Sequence, residues 1–101
     1  MNEITLYAIK SLSVCEGTYN RPFVAPTDRD AVTLVRNAIL GGQDAALVYD
    51  RSNLELYRVG TFDVRNGRFK NSAKLLVRLD HIPLPADFDK IGKKEEKDAV
   101  Q

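Results

Sequence analysis

Cysteine and histidine are scarce in this sequence, with one of each among its 101 residues. Cys15 has no second cysteine with which to form an internal disulfide, and we expect it to be a small buried or half-buried thiol. One histidine and one cysteine cannot supply the ligands of a typical zinc site. The aspartates lack the spacing of a calcium-binding loop and are better explained as helix caps and turn residues. We therefore expect no metal and no other cofactor.

Candidates for catalysis are equally few. His81 follows Asp80, which could orient the imidazole as a general base, but adjacent residues of a strand point to opposite faces. No nucleophile can be identified to act with this pair. Gly41 and Gly42 lack the surrounding pattern of a phosphate-binding loop. We predict that the protein is not an enzyme.

Neither sign of charge dominates, since 15 basic residues accompany 14 acidic ones. Any attraction to nucleic acid must therefore come from a local surface rather than from the whole molecule. No apolar run approaches the roughly 20 residues that a membrane span requires, and the first residues lack the apolar core of a signal peptide. We expect a soluble intracellular protein without a membrane partner.

The clearest element is a helix predicted over residues 28–40. Thr27 is a suitable N-cap residue, and Asp30 places a carboxylate in the first turn. The glycines at positions 41 and 42 can end the helix in a left-handed conformation. Apolar residues recur at helical spacing and predict one buried stripe: Ala31, Leu34, Val35, Ala38 and Ile39.

Strands are predicted on both sides of this helix. Residues 4–12 alternate as a strand, and residues 21–25 are expected to pair with it antiparallel. Residues 54–64 form the second strong strand, in which Gly60 indicates a bulge or a close backbone approach. Asn66-Gly67 predicts a type I′ hairpin turn, after which the chain returns antiparallel.

Two segments fit both a strand and a helix. Residues 45–49 are too short to decide, whereas the alternation in residues 73–82 favours a strand. Residues 83–101 are rich in charge and contain two early prolines, so we expect a flexible tail after a domain of residues 1–82. The predicted fold is α+β: two antiparallel hairpins form a small sheet with one helix on one face. Exposed strand edges also make a homodimer plausible.

The second hairpin is locally basic. Residues 58–78 contain six basic residues and one acidic residue, which gives this segment a net charge of +5. Aromatic residues are interleaved with these cations, as in proteins that bind single-stranded nucleic acid by stacking bases and contacting phosphates. The alternative is that Phe62 and Phe69 belong to the core and the cations form an ordinary solvated face. Lys10 and Tyr19 could extend the basic and aromatic surface. The candidate nucleic-acid-binding residues are Tyr19, Arg21, Tyr57, Arg58, Arg65, Arg68, Lys70 and Arg78.

Two segments resemble a known family. They are YNRPFVAPTDRDAVTLVR at residues 19–36 and LELYRVGTFDVRNGRF at residues 54–69, together with LYAI in the first strand. Their pattern is similar to the small nonstructural protein of gokushoviruses and related single-stranded DNA bacteriophages of the Microviridae. The resemblance covers the first 70 to 80 residues, contains no catalytic signature and excludes the tail. It implies a protein of the host bacterial cytoplasm that acts in viral DNA replication or genome packaging.

These observations lead to two hypotheses. The first is a non-enzymatic phage protein that binds single-stranded DNA through the basic hairpin. The second is an adaptor that binds phage replication or capsid-assembly proteins without touching DNA. The two differ in their dependence on salt, because phosphate contacts weaken steeply as salt rises and apolar interfaces do not.

Overall fold

A five-stranded antiparallel sheet with helices on one face forms the protein, which confirms the predicted α+β class. The computed structural model describes residues 2–12, 17–42 and 44–85. Cys15 and the part of the predicted tail from residue 86 onward lie outside these residues. The elements, in chain order, are β1 (Glu3–Ser11), β2 (Thr18–Tyr19), β3 (Phe23–Val24), α1 (Asp28–Gly41), α2 (Ala45–Tyr49), β4 (Leu54–Asp63) and β5 (Phe69–Arg78), with short 3₁₀ turns at Arg51–Asn53 and Leu79–His81.

Strand β1 is central in this sheet. It pairs with β2 and β3 on one side and with β4 on the other, and β5 pairs with the far side of β4. The predicted first hairpin is therefore confirmed as β1 with β2 and β3, and the second as β4 with β5. Residues 73–82 are mainly strand, as predicted, and end in the second 3₁₀ turn.

Helix α1 begins where the sequence predicts. The Thr27 hydroxyl accepts a hydrogen bond from the Asp30 amide at 3.1 Å, and Gly42 ends the helix with φ of 65°. The predicted apolar stripe is too broad: Ala31, Val35 and Ile39 are buried, but Leu34 is 48% exposed and Ala38 is also exposed. The buried side of α1 is instead turned toward Val32, which packs against the core, and away from Leu34.

The hydrophobic core lies between the helices and one face of the sheet. Tyr7 and Ile9 of β1 and Leu54 and Leu56 of β4 pack there with the buried side of α1. Leu47, Leu79 and Ile82 join the same cluster. We call the face of the sheet that lies against this core the covered face. The opposite face, formed by the alternate residues of each strand, is the open face.

A bulge in β4 sets which residues lie on each face. Leu6 pairs with Gly60 whereas Tyr7 pairs with Arg58, so Val59 is the extra residue. A Cβ atom on Gly60 would overlap the carbonyl oxygen of Lys70. The close backbone approach predicted from this glycine is thus confirmed.

The hairpin turn differs from the predicted type I′ turn. The amide of Asp63 donates to the carbonyl of Arg68, and the amide of Gly67 donates to the carbonyl of Asp63, so the connection has four residues rather than two. The Asp63 carboxylate accepts from the amides of Arg65 and Asn66, which holds this longer turn together. Gly67, with φ of 74°, supplies the left-handed residue that closes it. Arg68 therefore lies opposite Asp63, whereas a two-residue turn at Asn66-Gly67 would place it opposite Arg65.

Candidate nucleic-acid interface

Two tyrosines and a lysine meet on the open face of the sheet. The rings of Tyr19 and Tyr57 are 5.6 Å apart and nearly perpendicular, and the Lys10 ammonium lies 5.5 Å from the centroid of each. Strand register produces this cluster, because Lys10 pairs with Tyr19 on β2 and the preceding open-face residue, Ala8, pairs with Tyr57 on β4. The two rings and the ammonium form an aromatic surface that carries one cation.

Glu55 completes this cluster. Its carboxylate accepts a hydrogen bond from the Tyr57 hydroxyl at 3.4 Å, and it lies opposite Lys10 across the two strands. Burial raises the pKa of Tyr57, and the nearby Glu55 charge raises it further. Tyr57 is consequently a neutral hydrogen-bond donor at physiological pH. Glu55 was not among the predicted site residues, although its position two residues before Tyr57 on one strand places both on one face.

Apolar side chains continue the open face toward the hairpin tip. Phe62 pairs with Phe69, Gly60 lies between them and the tyrosine cluster, and Leu75 pairs with Tyr57. Phe69 is 45% exposed and Leu75 is 44% exposed, so neither belongs to the core. In β3, Val24 is 50% exposed on the same face. The open face is therefore a band of exposed rings and aliphatic groups, and no described helix covers it.

The cations at the hairpin tip and along the first seven residues of β5 are exposed. Within residues 2–12, 17–42 and 44–85, the side chains of Arg65, Arg68, Lys70 and Lys74 form no ion pair. Arg65 and Arg68 lie at the turn, whereas Lys70 and Lys74 belong to β5, the outermost strand. Lys70 and Lys74 pair with Thr61 and Arg58, which places them on the side opposite the tyrosine cluster. Their long side chains can still follow the β5 edge, where both faces of the sheet are accessible.

Arg58 lies away from the tyrosine cluster of Tyr19, Tyr57 and Lys10. It lies on the covered face, where its guanidinium donates to Asp28 at 2.9 Å. The other oxygen of Asp28 accepts from the Tyr7 hydroxyl at 2.8 Å. Arg58 thus joins β4 to the start of α1, and the structure does not bring it together with the neighbouring Tyr57.

The two remaining predicted arginines lie at the opposite end of the sheet from the tip. Arg78 donates to the carbonyl of Ser52 at 3.0 Å and to the Asp80 carboxylate at 3.2 Å. Arg21 is exposed and lines an open pocket of about 500 Å³ that also includes Phe23 and Asp44. The structure therefore brings together Tyr19, Tyr57 and Lys10, and separately Arg65, Arg68 and Lys70, but leaves Arg21, Arg58 and Arg78 outside both groups.

The described residues contain no group of three metal-binding side chains. His81 is exposed and lies 3.7 Å from the Asp80 carboxylate, which is also held by Arg78. Among the described helices, none has the length and apolar character needed to cross a lipid bilayer.

Comparison with known proteins found no match, because no family model, curated protein or solved structure is significantly similar to this chain. The function proposed below rests on the geometry of the open face and on the residues that the sequence singles out.

Proposed function

We propose that this protein binds single-stranded DNA without catalysing a reaction. The observation that carries the proposal is the cluster of Tyr19, Tyr57 and Lys10 on a sheet face that no described helix covers. Single-stranded nucleic acid presents the flat faces of its bases, and aromatic side chains on an open sheet are suited to stack on them. A duplex keeps those faces stacked inside.

The exposed cations are placed to contact the phosphate backbone of the bound strand. With bases on the open face, the backbone runs along the β5 edge, where Lys70 and Lys74 reach outward, toward Arg65 and Arg68 at the tip. These four side chains have no competing ion pair among the described residues. On single-stranded DNA each phosphate contact contributes about 0.7 to the slope with which the logarithm of affinity falls as the logarithm of salt concentration rises. Four contacts therefore imply a slope of about −3. Affinity then falls by about 60-fold when salt rises fourfold.

We also propose a biological setting, which rests on the sequence resemblance of residues 19–36 and 54–69 alone. In this setting the protein is a phage nonstructural protein that acts in the host bacterial cytoplasm, during genome replication or packaging. A second candidate function is an adaptor for phage replication or assembly proteins. The exposed Val24 and Leu75 favour it, because aliphatic groups on an open face suit a protein partner better than a phosphate backbone.

Fluorescence anisotropy of labelled oligothymidine, titrated with the full chain at two salt concentrations, tests the proposal. Replacement of Tyr57 by Leu keeps an apolar side chain and removes the ring. Since stacking contributes about 1–3 kcal/mol per base, we expect affinity to fall by about 5- to 150-fold. Tyr49→Leu is the matched control, because Tyr49 is 64% exposed on α2, away from the open face.

A second pair of variants tests the cations. Arg65→Ala with Arg68→Ala should lower the salt slope by about 1.4, whereas Arg29→Ala on the exposed side of α1 should leave it unchanged. Equal binding by Tyr57→Leu and the parent, or tighter binding to a duplex than to oligothymidine, would refute the proposed site. Binding of a phage protein that persists at high salt, without any DNA binding, would instead favour the adaptor.

A further inference from the structure

Strand β5 has an outer edge without a backbone partner among the described residues. It is the last strand of the sheet and pairs only with β4. Its first seven residues, 69–75, are all exposed, so no described element packs closely on either side of β5 along most of its length. Unpaired amides and carbonyls in such a strand can hydrogen-bond to an added strand.

The composition of this edge disfavours a second copy of β5 as the added strand. The strand contains Lys70, Lys74 and Arg78 and no acidic residue. When β5 pairs with itself, no register can give any of these cations an acidic partner, and several registers place cation against cation. Lysines on an exposed edge therefore disfavour self-association, and the same charges favour an acidic strand.

We infer that the outer edge of β5 docks an extended acidic segment of a partner protein as a sixth strand. Lys70 and Lys74 lie on the same side of β5, because their pairing partners Thr61 and Arg58 both lie on the covered face. They are four residues apart, or at most about 13 Å along the strand, because β5 has an extra residue relative to β4 between Asn71 and Lys74. A partner strand with two acidic side chains at the same spacing can pair with both lysines. Between them, residues 71–73 have short side chains that allow a second backbone to approach closely.

This inference does not depend on DNA binding, since it rests on the backbone edge and on two lysines rather than on the tyrosine cluster. The probe is a nine-residue peptide of alternating threonine and valine in which glutamates replace two threonines four residues apart. One control peptide carries lysines in place of the glutamates. The other keeps the glutamates but is N-methylated at every amide, which removes its backbone donors.

Backbone amide hydrogen exchange of the full chain, followed by NMR during titration, locates the bound peptide. We expect slower exchange at amides of residues 69–78 and binding at least about tenfold tighter than that of either control. Lys70→Glu with Lys74→Glu should reverse the preference between the glutamate and lysine peptides, and circular dichroism of this exposed-site variant checks its fold.

Three results would overturn the inference. The first is equal binding of the glutamate peptide to the charge-reversed variant. The second is equal binding of the N-methylated peptide, because strand addition requires those donors. The third is slow exchange of all β5 amides in the protein alone, which would mean that its own chain or a second copy already occupies the edge.

Discussion

Replacement of Tyr7 by Phe tests the polar contact that joins the sheet to the start of the helix. The Tyr7 side chain is 1% exposed, and its hydroxyl donates to an oxygen of Asp28 at 2.8 Å. Arg58 donates to the other oxygen, so the substitution leaves Asp28 with one partner and with access to solvent. Hydrogen bonds to charged groups contribute about 1.5–3 kcal/mol, and the exposure of Asp28 favours the lower end. We expect the variant to lose about 1–2 kcal/mol of stability at neutral pH.

The same hydroxyl makes stability depend on pH in the alkaline range. Burial, followed by the hydrogen bond to Asp28, raises the pKa of Tyr7 from 10.0 to about 12. The unfolded chain therefore releases this proton at lower pH than the folded protein does. Through this group, stability is unchanged below pH 10 and falls as pH rises through 12, by at most about 2.7 kcal/mol for a pKa difference of about two. Tyr7→Phe lacks this loss, so the two stability curves should converge as pH rises above 10 and cross as it approaches 12.

Urea unfolding followed by circular dichroism, at a series of pH values from neutral to 12, measures both effects. Tyr49→Phe is the control for removal of a tyrosine hydroxyl, because this tyrosine is exposed and its replacement should leave the free energy of unfolding at neutral pH unchanged. The raised pKa of Tyr57 affects the parent and the variant alike and cancels from their difference. If Tyr7→Phe unfolds at the parent's urea concentration and keeps the parent's alkaline slope, Tyr7 does not donate to Asp28 in solution.

Three further changes have expected outcomes. Gly60→Ala should lower the free energy of unfolding by about 2–4 kcal/mol, because the new Cβ overlaps the Lys70 carbonyl and lies 2.7 Å from the Phe69 ring. The loss should be measurable as a lower Tm, and an unchanged Tm would contradict the bulge geometry. Thr27→Ala should lower the free energy of unfolding by about 1 kcal/mol through loss of the N-cap, and Thr27→Ser should restore it. Asp63→Ala should speed hydrogen exchange at the amides of Arg65 and Asn66, which donate to its carboxylate. Because the tip is exposed, the global free energy of unfolding should fall by less than about 1 kcal/mol. Equal exchange rates in the variant and the parent would show that the carboxylate does not hold the turn.

Local chemistry allowed the sequence to predict much of the fold. The start of α1 depends on Thr27 and on residues within one helical turn, and its end depends on Gly42, so both could be read directly. The Gly60 bulge was likewise visible, because a glycine weakens the interior of a strand unless a bulge or a close backbone approach requires it there. Even the separation of Tyr7 and Ile9 from Lys10 followed from simple alternation in β1.

The hairpin turn and the fate of Arg58 could not be predicted in this way. Asn66-Gly67 favours a two-residue turn, but the Asp63 carboxylate accepts hydrogen bonds from two backbone amides and so stabilises a longer turn. Arg58 pairs with Asp28, which lies 30 residues earlier in the chain and reaches it only after the helix has packed on the sheet. Alternation along β4 predicts only that Tyr57 and Arg58 lie on opposite faces of the sheet, and it does not identify the partner of Arg58.

The half of the second hairpin that includes the turn contributes almost nothing to the hydrophobic core. Packing therefore does not account for the aromatic and basic residues in this half. Phe69 and Leu75 are nearly half exposed, and Lys70 and Lys74 have no ionic partner within the described residues. Folding of this chain therefore does not explain their identity. Lys70 and Lys74 serve both proposed ligands, because a phosphate backbone and an acidic strand require the same edge. If both proposals hold, the glutamate peptide must weaken oligothymidine binding in the parent, whereas the N-methylated peptide must not.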